Sequence, residues 1–227
     1  MQKVEAKQLM TKYLSEYLVS LNFVEKKISD SDFQYINKRK NGKWILNGGI
    51  NNYNPSQGII YNFSIINYDI NSVLIKLNEK IEIKGSKISK ETATIGFSYN
   101  TLFDNSNSVY LPFIETETDV KKCADIMVAF INEYALPIFA KFEDLAGVDK
   151  IVNGDKPWED DWHKPYVFGG NFNFKGLIIS NLFGNGNYDR IFHFVKEYLM
   201  SKFNDKYGED FKVEYEQVLV LDSILKN

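Results

Sequence analysis

Apolar residues recur along this chain with two different periods. Ala6, Met10, Tyr13, Leu14, Tyr17 and Leu21 step by three and four, which gathers them on one face of a helix over residues 3–21. Asn22 stands where that helix should close in a left-handed conformation. The period then falls to two. In "FQYINKRK" Phe33, Tyr35 and Asn37 alternate with Gln34 and Ile36, as on a strand with one buried face. "NGK" at 41–43 reads as a hairpin turn. "WILNGGI" returns as a second strand, "NNYNPSQG" is a loop and "IIYNFSII" at 59–66 is a third strand. Ile70, Val73, Leu74 and Leu77 have helical spacing, with Asp69 as the expected cap. "TATIGFSYN" and "SVYLPFIE" read as two more strands around the turn-rich "FDNSNS".

After Glu115 the helical period takes over. Thr116 and Asp119 form a capping box. Val120, Cys123, Ala124, Met127, Ile131 and Tyr134 share a face, and Ile138, Phe142 and Leu145 continue its phase past Pro137. The pattern predicts a helix kinked at "ALPIF" rather than stopped there, with that helix or a short successor running on to about Val152. Residues 153–172 connect to "FKGLIISNLFG", a helix closed by Gly184. The next helix has Asn187 as cap and carries Tyr188, Ile191, Phe192, Val195, Tyr198, Leu199 and Phe203 on one stripe. "EYEQVLVLDSILK" completes the helical run. The order predicts an α+β fold: an antiparallel sheet of about five strands, with an N-terminal helix and a C-terminal run of helices packed on it. Residues 1–227 are expected to form a single domain.

Composition supports a buried core: 44% of residues are hydrophobic and 15% aromatic. The net charge of -3 and the sequence pI of about 5.5 give no global field for nucleic acid or anionic lipid, so a nucleic-acid partner is disfavoured. Cys123 is the sole cysteine, which excludes an intrachain disulfide and a cysteine-based zinc cluster. The first residues lack a signal-peptide pattern, and no uninterrupted apolar run reaches the roughly 20 residues of a membrane span. The expectation is a cytoplasmic protein with no membrane partner.

One stretch gathers candidate chemistry. "WEDDWHKP", residues 158–165, sets Glu159, Asp160, Asp161 and His163 between Trp158 and Trp162. A lone histidine beside consecutive acids does not give the converging ligands of a metal site. The local order fits a short helix better. Asp155 caps it, Pro157 opens it, acids lie at its positive end, His163 and Lys164 at its negative end, and Pro165 stops it. Trp158 and Trp162, four apart, share a face. Trp158, Trp162 and His163 are therefore the candidate binding residues, with no catalytic or metal residue assigned. Elsewhere, His193 is placed to pair with Glu197 on an exposed face. Cys123 reads as a small buried hydrophobe. "NGGI", "FGGNFNFKG" and "GNGNY" match no nucleotide fingerprint, so no cofactor is implied. The basic hairpin "NKRKNGKW" reads as charge that keeps a strand tip soluble.

Three stretches carry a resemblance: "YLVSLNFVEKK" followed by "FQYINK", "VAFINEYALPIFAKFEDL", and "LIISNLFGNGNYDRI". Together they resemble a family of uncharacterised bacterial proteins that share a domain of unknown function. In that family a glycine typically stands before the corner Phe, where this chain has Asn22. The resemblance transfers no catalytic residue. The expected function is non-catalytic protein binding of an immunity-like kind, with a protein partner. The alternative is a metal-assisted hydrolase centred on His163 and the neighbouring acids.

Overall fold

The computed structural model describes residues 1–53, 56–81, 88–97, 111–153, 172–184 and 186–226. The chain divides into two compact units, Met1–Ile66 with Ile95–Ala140, and Asn67–Thr94 with Lys141–Asn227.

The first unit opens with α1 (Lys3–Ser20), whose buried residues are Ala6, Met10, Leu14 and Leu18. Tyr13 and Tyr17 flank that stripe and use their hydroxyls, donating to Glu117 Oε1 and Asn132 Oδ1 at 2.7 Å each. The helix closes as its sequence predicts. Asn22 has φ 63°, its N–H donates to Val19 O, and the Phe23 N–H donates to Leu18 O. That pair of bonds is a Schellman closure, with buried Phe23 and Leu18 as its apolar contact.

Five antiparallel strands follow in the order β1 (Val24–Lys27), β2 (Asp32–Arg39), β3 (Gly42–Tyr53), β4 (Ser56–Asn67) and β5 (Ile95–Phe97). Phe33, Tyr35 and Asn37 are buried, as the alternation predicts. They pair with Gly48, Leu46 and Trp44, so these six positions share the inner face. Asn37 is accommodated there because its Nδ2 donates to Leu21 O at 2.9 Å, satisfying a carbonyl at the end of α1. The hairpin loop is Lys40–Asn41, with Gly42 already paired to Arg39, so the turn falls one residue before the Asn-Gly pair. The expected loop over 51–58 is largely strand: β3 runs to Tyr53 and β4 begins at Ser56.

One strand is corrected. Of the segment 108–115, residues 108–110 lie outside the described residues, and the rest holds only an isolated bridge from Ile114 to Gln57. Val24–Lys27 is a strand in its place. Its four residues are all exposed, so it has no buried alternation for the sequence to display.

Over the inner face lies α3 (Glu117–Phe130), started by the capping box of Thr116 and Asp119. A π turn, Ile131–Ala135, joins it to α4 (Leu136–Lys141). The Leu136 N–H donates to Ile131 O, five residues back. The widened turn lies just before Pro137, whose ring would otherwise crowd the preceding carbonyls and whose missing N–H leaves a gap in the ladder. Helix therefore continues from Glu117 to Lys141, which by length and composition is long enough to cross a membrane. Its apolar side packs in the core of this unit. Trp44 stacks on Phe139 at 4.8 Å, Phe63 stacks on Phe97 at 5.4 Å, and Phe130 lies 5.5 Å from Phe63. Each such ring contributes about 1.5–3 kcal/mol by burial.

The second unit is helical: α2 (Tyr68–Lys80), α5 (Leu145–Asn153), α6 (Phe172–Phe183), α7 (Tyr188–Ser201) and α8 (Gly208–Leu225). Asn67, not Asp69, caps α2, its Oδ1 accepting from the N–H groups of Asp69 and Ile70. Every residue of α6 from Phe174 to Ser180 is buried, so this helix is the centre on which α2, α5, α7 and α8 pack. Gly184 closes it at φ 68°. Asn187 stands at the head of α7 without a side-chain capping bond. Ile191, Val195 and Leu199 form the buried stripe of α7, while Tyr198, expected on it, is exposed.

Candidate functional site

Trp158, Trp162 and His163, with Glu159, Asp160 and Asp161, lie outside the described residues. The structure instead shows where that segment leaves and returns, at the end of α5 and the start of α6. A buried polar cluster stands there. Asp149 and Asn153, one turn apart on α5, are both buried. Asn153 Nδ2 donates to Asp149 Oδ1 at 2.8 Å and to Gly176 O at 2.9 Å, which ties α5 to α6. Asn153 Oδ1 is buried without a hydrogen-bond partner among the described residues. Lys175, one residue along α6, is buried too, with Nζ 3.5 Å from Ala93 O. Burial pulls its pKa down to about 8, because the charged form loses its water.

A second buried polar set holds the chain before β5. Asn71 Nδ2 donates to Lys90 O at 3.1 Å and Thr92 O at 2.7 Å. Thr94 Oγ1 donates to Asn71 Oδ1 at 3.1 Å and accepts from the Asn67 N–H at 2.9 Å. These bonds satisfy a loop that would otherwise bury bare carbonyls, which is a structural duty. Asn71, Asn153 and Lys175 were not distinguished by the sequence. Each falls within an apolar helix, and only its packed neighbours show that its polar end is inside.

His193 and Cys123 stand where the helical spacing puts them. His193 Nε2 lies 3.0 Å from Glu197 Oε1, both largely exposed. Cys123 is fully buried, with Sγ 3.5 Å from Pro112 O, and burial pushes its thiol up to about 11, far from a reactive thiolate. On the basic hairpin, the Arg39 guanidinium lies over the Trp44 ring at 4.2 Å, so that aromatic is engaged within the protein. Of "NGGI", Gly48 admits the Phe33 ring, which a Cβ would strike. No group of three or more histidine, cysteine or acidic residues that could hold a metal occurs among the described residues.

The feature with open chemistry is the second face of the sheet in the first unit. Along it, side-chain amides form a ladder over three strands. Gln34 Nε2 donates to Asn47 Oδ1 at 2.6 Å, and Asn47 Nδ2 donates to Asn62 Oδ1 at 3.1 Å. Beside the ladder lies a groove of about 330 Å³ whose lining includes Ile28, Asp32, Asn47, Asn51, Ile60 and Asn62. Asp32 and Gly49 are paired across β2 and β3, so the missing side chain of Gly49 hollows the face there. On the same face Val24 pairs with Ile36 and Ile36 with Ile45. Exposure rises along that row, from buried Ile45 through half-buried Ile36 to Val24 at 69%. β1 is the terminal strand and pairs with β2 alone among the described strands. It is therefore an edge of the sheet, one side of its backbone having no strand partner among the described residues.

Against known proteins the chain finds no counterpart: no protein-family model, no curated protein and no solved structure matches it.

Proposed function

We propose that this chain is a non-catalytic protein-binding module, immunity-like in that it acts by docking on another protein, and that the partner adds to the edge strand β1. The observation that carries this reading is the edge itself: four exposed residues, Val24–Lys27, at the end of a five-stranded sheet. Main-chain bonding along an edge supplies affinity, and alternate side chains supply choice of partner. Val24 offers an apolar contact next to Ile36, and Lys26 and Lys27 favour an acidic strand. The same lysines deter pairing between copies of the chain, as edge charges do.

The test uses the whole chain, immobilised, against lysate of its own host, beside a Lys26→Glu, Lys27→Glu variant. The expected result is a stoichiometric protein complex with the unchanged chain and its loss with the charge reversal. Amide exchange at Val24–Lys27 should slow in the complex. A partner that binds both chains equally, leaving exchange at β1 unchanged, removes the reading.

A further inference from the structure

We propose that the amide-lined groove beside β2, β3 and β4 binds a neutral, hydroxyl-rich ligand, an oligosaccharide. This site goes beyond the docking at β1 and stands or falls separately from it.

The lining selects the ligand class. Among the described residues its side chains bring one carboxylate, Asp32, and no cation. An anionic ligand therefore meets no counter-charge from the described lining. A cation meets a single carboxylate, and one oxygen of that carboxylate already accepts from Ser29 Oγ at 2.6 Å. A wholly apolar ligand would bury the Asn51 amide and the spare amide hydrogens of Asn47 and Asn62 against nothing that can pair with them. What remains is an uncharged polar molecule.

The ladder narrows it further. Its two bonds run in one direction, from Gln34 through Asn47 to Asn62. Gln34 Oε1 is left as an acceptor at one end and Asn62 Nδ2 as a donor at the other, with a second amide hydrogen on each nitrogen between them. The spare functions are thus one acceptor, Gln34 Oε1, and an amide hydrogen repeated once per strand, roughly 4.8 Å apart. A hydroxyl donates and accepts at once, so a row of sugar hydroxyls can meet this series anywhere along it. A peptide group has one function at each fixed position, and its ladder bonds form at a sheet edge rather than on a face. Ile28 and Ile60, 50% and 46% exposed, line the groove and offer apolar surface to the C–H face of a sugar ring. Gly49 provides the depth, since a Cβ there would stand 2.5 Å from Asp32 Oδ1.

The experiment follows side-chain amide resonances of the full-length protein by NMR. Cellohexaose, xylohexaose, mannohexaose, maltohexaose and chitohexaose are each added to about 5 mM, where a site with Kd of about 1 mM is mostly filled. A thymidine oligonucleotide and a polyglutamate peptide are added separately. The proposal expects at least one sugar to shift the Asn47, Asn51 and Asn62 amides saturably. Gly49→Val should abolish the response by filling the groove. Asn51→Ala, an exposed change that leaves the sheet intact, should weaken binding at least about fivefold. The proposal is overturned if no sugar shifts these amides, if Asn51→Ala leaves the affinity unchanged, or if only the oligonucleotide or the peptide binds there.

Discussion

Asn67 and Asp69 lie two residues apart, yet only Asn67 caps α2. Asp69 has the right chemistry, but it already sits inside the helix, where its side chain cannot reach back over the first N–H groups. Asn67→Ala should cost about 1 kcal/mol in urea unfolding, and Asp69→Ala distinctly less, since it removes neither of the two cap bonds. Asn22 has the opposite history: its left-handed conformation was legible, because a helix followed at once by a buried Phe leaves little else for that position. Asn22→Gly should therefore be neutral or slightly stabilising, while Asn22→Ala should lower the urea midpoint, having no easy access to φ 63°.

Lys175 makes the residue scale a question of pH. Its ordinary pKa is 10.5 and burial brings it to about 8. Below pH 8 the lysine is protonated whether the chain is folded or unfolded, so the cost of burying its charge is constant and fully present. Between pH 8 and 10.5 the unfolded chain keeps a proton that the folded one has released, so stability rises with pH through that window. Lys175→Met should remove the rise, which for the unchanged protein is on the order of 3 kcal/mol. Urea unfolding of both proteins at pH 7 and pH 10 measures it, and equal pH slopes would contradict the burial of Lys175.

At the scale of elements, the π turn is the clearest case of sequence and structure explaining each other. The phase of the apolar residues predicts that helix survives Pro137, and it does. The means of survival is local: one turn holds an extra residue, so Ile131, Ala135, Ile138 and Phe139 stay buried on both sides of the proline. Deleting Glu133 from that turn should restore α-helical bonding and drive the Pro137 ring into the preceding carbonyl, costing about 3 kcal/mol. The same deletion combined with Pro137→Ala should lose much less, because the clash is gone. Thermal unfolding of the two variants separates the outcomes. The short strand β1 shows the reverse. Periodicity finds strands by their buried face, and β1 has none, so its strand character comes from pairing with β2 alone.

For the molecule as a whole, the chain order of helix, sheet and helical run was enough to place it as α+β with an antiparallel sheet. The two compact units are each assembled from separated stretches of sequence. No local pattern marks such a division, since a unit boundary is defined by which contacts are made across long separations. The exposed edge strand β1 offers a test at this scale. Replacing its guards, Lys26→Val with Lys27→Thr, should leave the fold intact but promote concentration-dependent self-association, visible by light scattering. A variant that stays monomeric at high concentration would show that the lysines do not protect this edge.

The sequence by itself determined what depends on neighbours a few residues away: the Asn22 closure, the Thr116–Asp119 box, the alternation of Phe33, Tyr35 and Asn37, and the buried stripes of α3 and α7. These follow from the 3.6 and 2.0 residue periods and from capping chemistry. Only the tertiary structure decided which residues meet across strands and helices. The ladder of Gln34, Asn47 and Asn62 depends on strand register. The stacking of Trp44 on Phe139 depends on where a distant helix lands. The burial of Lys175 depends on the helices packed around α6. A one-residue slip of register would turn the amide row to the other face, and no property of a single strand forbids that slip until the sheet and its core exist.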